Sequence, residues 1–345
     1  MLFLIIGSTC VQVSSQTKPS SSGVQLIRND QQRRVDVLID GQPFTSYIWP
    51  DTIKKPVLYP LRTSKGTVVT RGYPLDPRPG ERVDHPHQVG LWFSYGDVNG
   101  LDFWNNSDAI KPEERNKYGS ISHRGIKRAR SGKTEGELRA EMDWVAPDGK
   151  VLLKDATTYV FQGRPGLRVI DRTTTLTALD RKIDLTDNKE GLLGIRVARQ
   201  LEQPSNQPEV FTDSSGKPTA VPKLDNTGVT GRYRSSQAKT GDEVWGTRAR
   251  WTALAGKIGE EDVTLVILDH PSNPGYPTYW HARGYGLFAA NPLGQKVFTN
   301  GKQGLNFSLA AGQSATFRYR ILILSGAVGD PDIEALYRSF AGDAN

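Results

Sequence analysis

The sequence predicts an all-β protein, a large antiparallel two-sheet β-sandwich with a short C-terminal helix, on three observations. Side chains alternate between apolar and polar in Leu138–Trp144, Thr173–Leu179 and Thr316–Leu322, the period of half-buried strands. Turn chemistry punctuates these runs: Asp40-Gly41, Pro147-Asp148-Gly149, Gly163-Arg164-Pro165-Gly166 and Asn300-Gly301 supply residues that tolerate positive φ or are preset for a turn. Hairpins at such spacing indicate a sandwich or barrel. Helical periodicity comes at the end, where Asp330 is placed to cap, Pro331 opens the helix, and Ile333, Leu336, Tyr337 and Phe340 share one face.

The first ten residues, MLFLIIGSTC, are mostly apolar, and Val13 and Ser15 stand as the small residues of a signal-peptidase site. Residues 1–15 therefore read as a signal peptide, 16–23 as a disordered spacer, and 24–345 as one β-sandwich domain. The expected location is periplasmic or extracellular, with lipid anchoring through Cys10 as the alternative. Residues 203–240, rich in Pro, Ser, Gly and Lys, read as a long loop and as the alternative domain boundary.

Composition removes several function classes. Cys10 is the only cysteine, so the mature chain has no internal disulfide, thiolate metal site or Cys nucleophile. Formal charge is +7, but the basic stretch from Lys111 to Arg139 is interleaved with Glu113, Glu114, Glu135 and Glu137, and no nucleic-acid motif accompanies it. A nucleic-acid partner is not expected. Outside the leader no apolar run reaches the roughly twenty residues of a membrane span, so no transmembrane span is expected.

Chemistry concentrates in Asp84-His85-Pro86-His87-Gln88, because two of the five histidines fall within three residues beside an acid. On an extended strand His85 and His87 point to one face and can converge on one substrate or one divalent metal. His123 and His281, each flanked by arginine and aromatic residues, could complete a four-histidine cluster. Glu190, just before the apolar run Leu192–Ala198, is the candidate carboxylate of an acid/base pair. His270 ranks below these, because Asp269-His270-Pro271 is ordinary turn chemistry. The candidate substrate contacts are Asp84, Arg124, Arg196 and Arg283 for oxygens and Trp92, Trp104 and Trp280 for sugar faces, whose C–H groups stack on aromatic planes. The structural alternative is that the histidines satisfy backbone carbonyls and the tryptophans fill the core.

The order of several motifs carries a resemblance: Asp84-His85-Pro86-His87-Gln88 with Gly90-Leu91-Trp92-Phe93, Val98-Asn99-Gly100-Leu101-Asp102-Phe103-Trp104, Asp171–Leu176, Lys189–Arg196, Asp269-His270-Pro271, and Trp280–Phe288. This pattern resembles a bacterial exported family of unknown function commonly labelled "methane oxygenase PmoA". The label implies a membrane-embedded copper monooxygenase subunit, which the absent spans contradict. The resemblance itself implies envelope proteins of carbohydrate-degrading bacteria, encoded beside sugar-type oxidoreductases, with a sandwich similar to the aldose-epimerase supersandwich.

Three functions follow as expectations. The first is an enzyme acting on a sugar or glycoside by acid/base chemistry, a lyase, epimerase or hydrolase, with His85, His87, His123, His281 and Glu190 as the reacting groups. The second is a soluble oxidoreductase with a metal on His85 and His87. The third is a non-catalytic glycan-binding envelope protein.

Overall fold

The computed structural model describes residues 22–342. The signal peptide, Cys10 and nearly all of the spacer therefore lie outside the described residues. Two eight-stranded sheets dominate, and every strand pair within them is antiparallel. In spatial order the first contains Val24–Asn29, Arg34–Ile39, Gln42–Ile48, Val57–Leu58, Leu91–Phe93, Leu193–Arg196, Leu287–Asn291 and Tyr279–Arg283. The second contains Arg232–Ser235, Trp251–Ile258, Glu261–Asp269, Ser314–Ser325, Leu167–Ala178, Val151–Arg164, Glu135–Val145 and Ser120–Arg130. The three alternating runs singled out in the sequence fall on adjacent or near-adjacent strands of this second sheet.

Alternation sends one set of side chains into a shared core. Leu91, Phe93, Leu193, Ile195, Trp280 and Phe288 of the first sheet meet Trp144, Phe161, Ile170, Leu265, Phe317 and Ile321 of the second in one buried cluster. The intervening residues of the first sheet face the other way. There Trp92, Leu287 and Ala289 pack with Val57, Val89 and Trp104. Close packing on this outer face requires Gly194: a Cβ there would lie 2.5 Å from the Trp92 ring, so the indole lies directly over the strand.

The helix Asp330–Ala341 covers the outer face of the second sheet, burying Ile333 and Tyr337 against Trp251, Val266, Leu268 and Leu322. Its N-cap is Gly329, and Asp330 instead receives the Arg234 guanidinium at 2.7 Å, so the expected Asp330 cap is replaced by an ion pair. Asn300-Gly301 also differs from expectation. It closes the short helix Gln295–Phe298, with the Gly301 N–H donating to the Lys296 carbonyl at 2.7 Å, and makes no hairpin.

The stretch 203–240 is partly ordered into the hairpin Glu209–Thr212/Pro218–Val221 and the edge strand Arg232–Ser235. These strands are four residues each, too short for alternation to show in sequence. The hairpin turn is held by Asp213, whose carboxylate accepts from the Ser215 and Lys217 N–H groups at 2.8 and 3.0 Å. Among the described residues no helix is long and apolar enough to cross a membrane.

Candidate functional site

The outer face of the first sheet carries the titratable groups. On Tyr279–Arg283 the odd positions point outward, which brings His281 and Arg283 to this face while Trp280 and Ala282 enter the core. Arg196 projects the same way from the central strand Leu193–Arg196, and Trp92 with Trp104 forms the apolar floor.

Above that floor, residues 84–88 form a turn. The expected strand is interrupted because His85 has φ of +42°, a left-handed conformation costly for a non-glycine residue, and Pro86 follows. Arg71 holds the turn in shape. Its guanidinium donates to the carbonyls of Asp84 (2.9 Å), His85 (3.0 Å) and Gln88 (3.1 Å) and pairs with the Asp84 carboxylate. Arg196, fully buried, donates to the same carboxylate at 2.7 Å and to Gln88 Oε1 at 2.5 Å. Burial raises the Asp84 pKa, but the His85 hydrogen bond and the Arg196 and Arg71 charges outweigh it and hold the acid well below the usual carboxylate range.

Asp84 Oδ2 lies 2.9 Å from His85 Nδ1. The carboxylate thus fixes the imidazole with Nδ1 as donor and leaves the lone pair of the neutral ring on Nε2, the arrangement by which an acid orients a histidine for proton transfer. The His85 ring lies parallel to Tyr285, with centroids 5.1 Å apart and planes within 1°. His85 itself is exposed.

His281 is buried, and its Nδ1 donates to the Lys189 carbonyl at 3.1 Å. That bond fixes the tautomer, so the lone pair sits on Nε2. Burial, with the charges of Arg283 and Lys189, lowers the imidazole to about 3, and it is neutral at any working pH. Glu190 Oε2 lies 3.8 Å from the same Nδ1. Burial pushes Glu190 above the usual carboxylate range against the pull of Lys189, whose ammonium is 3.4 Å away. His85 and Arg283 both meet the Tyr285 ring, and Arg283 shares its strand face with His281, so His85, His281 and Glu190 lie on the same side of the first sheet. The loop carrying Glu190 is fixed from below by Asn291, whose amide donates to the carbonyls of Asn188 (2.8 Å) and Lys189 (2.7 Å).

Beside this group lies a pocket of about 320 Å³ lined by Asp242, Trp245, Ala282, Arg283, Gly284 and Tyr285. The Arg283 guanidinium sits 5.8 Å from both the Trp245 and Tyr285 ring centres. Tyr285 therefore joins the pocket to His85. The pocket offers a partly exposed indole flanked by a cation and an acid.

Other expected site residues lie elsewhere or serve differently. His123 stacks on Trp49 at 4.0 Å and bonds to the Tyr47 hydroxyl at 3.0 Å, so the four-histidine cluster is replaced by a group of His85, His87 and His281. Arg124 pairs with Asp143 at 2.6 Å on the Ser120–Arg130 strand at the far edge of the second sheet. Trp280 is sealed in the core with its indole N–H donating to the Ala249 carbonyl, while Trp92 and Trp104 are fully buried; none of the three rings has a face to offer a ligand. Arg196 is spent on Asp84 and Gln88 and orients rather than binds. His270 bonds to Ser272 and meets the Phe340 ring, as its turn sequence suggests.

His87 lies with His85, ring centres 5.6 Å apart, but is buried, and burial with the nearby Lys55 charge drives it well below its ordinary value. Its Nε2 has no partner among the described residues. Lys55, which the sequence did not single out, is buried beside it with Nζ donating to the Trp104 carbonyl at 2.7 Å, and burial pushes it down to about 7. Arg71, Tyr285 and Trp245 were also missed; Arg71 and Trp245 stand outside the motifs, whereas Tyr285 lies within the Trp280–Phe288 motif beside His281 and Arg283. Among the described residues no three His, Cys, Asp or Glu side chains gather as metal ligands.

The depressed imidazoles set an acid sensitivity. His281 and His123, at about 3 and about 4, stay unprotonated in the folded chain below pH 6.5 while the unfolded chain takes up protons there. Their contribution is thus intact above pH 6.5 and is lost as pH falls toward their folded values. Asp84 acts with the same sign below its ordinary 3.8. The raised acids Asp269, at about 7, and Glu190 act with the opposite sign in this window, so the test is a comparison: as pH falls from 6.5 to 4 the urea midpoint of His281→Asn should rise relative to that of wild type, and equal slopes for the two would contradict the assignment.

No curated protein matches the sequence. Among solved structures, the galactosidase domain of alpha-galactosidase-sucrose kinase, AgaSK, is 10% identical with a TM-score of 0.40, covering 88% of this chain and 42% of that one. This chain thus spans less than half of that structure. Galactose 1-epimerase from Lactobacillus acidophilus NCFM gives 9% identity, TM-score 0.39 and coverage of 89% and 100%. A putative aldose 1-epimerase from Escherichia coli K12 gives 9%, 0.36, and 88% and 99%. Likeness at these scores carries no argument about activity. Sequence similarity is more definite: residues 34–338 match the family described as "Family of unknown function (DUF6807)", and the chain belongs to that family.

Proposed function

We propose that this chain is an exported enzyme that acts on a sugar or glycoside by proton transfer, with Glu190 as general base, His85 as the group that delivers a proton, and His281 Nε2 accepting a substrate hydroxyl. The observation that carries the reading is the pair of carboxylate–imidazole arrangements, Asp84–His85 and Glu190–His281, on the same face of the first sheet on either side of Tyr285 and Arg283. Asp84 orients the His85 ring by accepting from its Nδ1, and the raised Glu190 is a stronger base than a solvated carboxylate. The adjoining pocket supports a carbohydrate: a ring's C–H face suits Trp245, and Asp242 and Arg283 suit its hydroxyls.

The oxidoreductase reading draws less support, because His85 and His87 lack a third gathered ligand among the described residues. The glycan-binding reading requires the same pocket but gives the paired acids and imidazoles no role. The test is a turnover panel of free aldoses, followed by polarimetry, and of aryl and uronate glycosides, followed by absorbance. Activity on a panel member should fall by about 100-fold or more in His85→Asn at unchanged melting temperature. Absence of turnover across the panel, or a His85→Asn enzyme as active as wild type, would overturn the proposal.

A further inference from the structure

A cavity of about 700 Å³ lies away from the histidines, between the Glu209–Val221 hairpin and the rim of the sheets. None of its lining residues belongs to the group around His85. We propose that this cavity is a second binding site, for a compact ring compound that carries no negative charge. It is independent of the catalytic reading above.

Its volume falls within the roughly 300–1,000 Å³ of small-molecule pockets. The interior is apolar, with Phe211, Val221, Leu224, Val229, Ile258 and Val68 on its walls. Phe211 is held by two guanidinium groups, Arg82 at 5.4 Å and Arg199 at 5.2 Å from the ring centre. The hairpin wall is preformed, because its backbone is hydrogen-bonded to the segment beneath: Gly80 N–H to the Thr212 carbonyl (2.8 Å), Thr212 N–H to that of Glu81 (2.9 Å) and Val83 N–H to that of Val210 (2.8 Å). A ligand therefore pays little to order this wall.

Charge selects among ligands. The lining cations are already engaged, Arg199 with Glu202 at 2.7 Å and with the Asp225 carbonyl at 3.1 Å, Arg78 with Glu81 at 3.1 Å. Asp213 and Asp225 remain at the lining, and neither has an ion-pair partner among the described residues. Hydrogen bonds from Lys217, Ser215 and Thr219 lower Asp213 to about 2, so it is ionised at neutral pH. An anionic ligand meets carboxylates there and finds no free guanidinium; a neutral or cationic ring meets neither obstacle.

The probe is N-phenyl-1-naphthylamine, a neutral ring compound that fluoresces when desolvated, compared with its sulfonated analogue anilinonaphthalene sulfonate. Thr219→Trp and Thr227→Trp place bulk at exposed lining positions without touching the core, and circular dichroism and melting temperature verify their fold. The expected result is saturable binding of one neutral probe, weaker binding of the sulfonate, and affinity reduced about tenfold or more in both variants. Lack of saturable binding, wild-type affinity in both folded variants, or tighter binding of the sulfonate would overturn the proposal.

Discussion

Replacing Arg71 with alanine should cost roughly 3–5 kcal/mol of folding stability, the scale of breaking a buried ion pair by removing one partner. The side chain is 1% exposed and its guanidinium serves three carbonyls and the Asp84 carboxylate. Alanine removes a donor from all three carbonyls, leaving the buried Gln88 carbonyl unserved while that of His85 keeps the Gln88 N–H, and leaves Asp84 to Arg196 and His85. His85 then loses the support that holds it at φ of +42°. Lysine at this position restores a charge but not a planar fork, so Arg71→Lys should recover less than half of the loss. Urea unfolding of the three proteins measures this. A change under about 1 kcal/mol for alanine would mean that the turn holds its shape without Arg71.

Glu190→Gln should lower kcat on whatever panel member is turned over by about 10²- to 10⁴-fold, the usual contribution of a positioned base. KM should move much less, because the amide keeps the shape of the acid. Stability should move in the opposite direction from activity. Burial raises Glu190 above its ordinary value, so its ionised form opposes folding at neutral pH; a raised acid favours folding only below its unfolded value and loses that contribution as pH rises. Glutamine removes the penalty, and the melting temperature at pH 7 should equal or exceed that of wild type. Equal activity, or joint loss of activity and stability, would count against a catalytic Glu190.

The fold was legible because strand alternation is local: Leu138–Trp144, Thr173–Leu179 and Thr316–Leu322 each announce their own buried face, and the terminal helix announces its apolar stripe. The site was legible in part. His85 and Glu190 lie in segments dense with polar and turn residues, and density in sequence is visible without a structure. His85 and His87 were expected on one strand face, but the φ of His85 and the Arg71 fork make a turn of this segment, and the fork comes from a residue thirteen or more positions away. Which tryptophan is accessible depends on strand parity across distant segments, so Trp280 was expected to face a ligand and Trp245 was not. His123 and His281 have similar neighbours in sequence; the sheets place one on Trp49 and the other beside Glu190.

The most direct test of the site is ¹⁵N NMR of the imidazoles of the selectively labelled protein, titrated with the sugar or glycoside that the panel identifies. The His85 and His281 resonances should shift together in a saturable manner, Glu190→Gln should weaken or abolish the response, and His123 and His270 should stay in place. Shifts confined to His123 or His270, or none at saturating sugar, would contradict the proposed site.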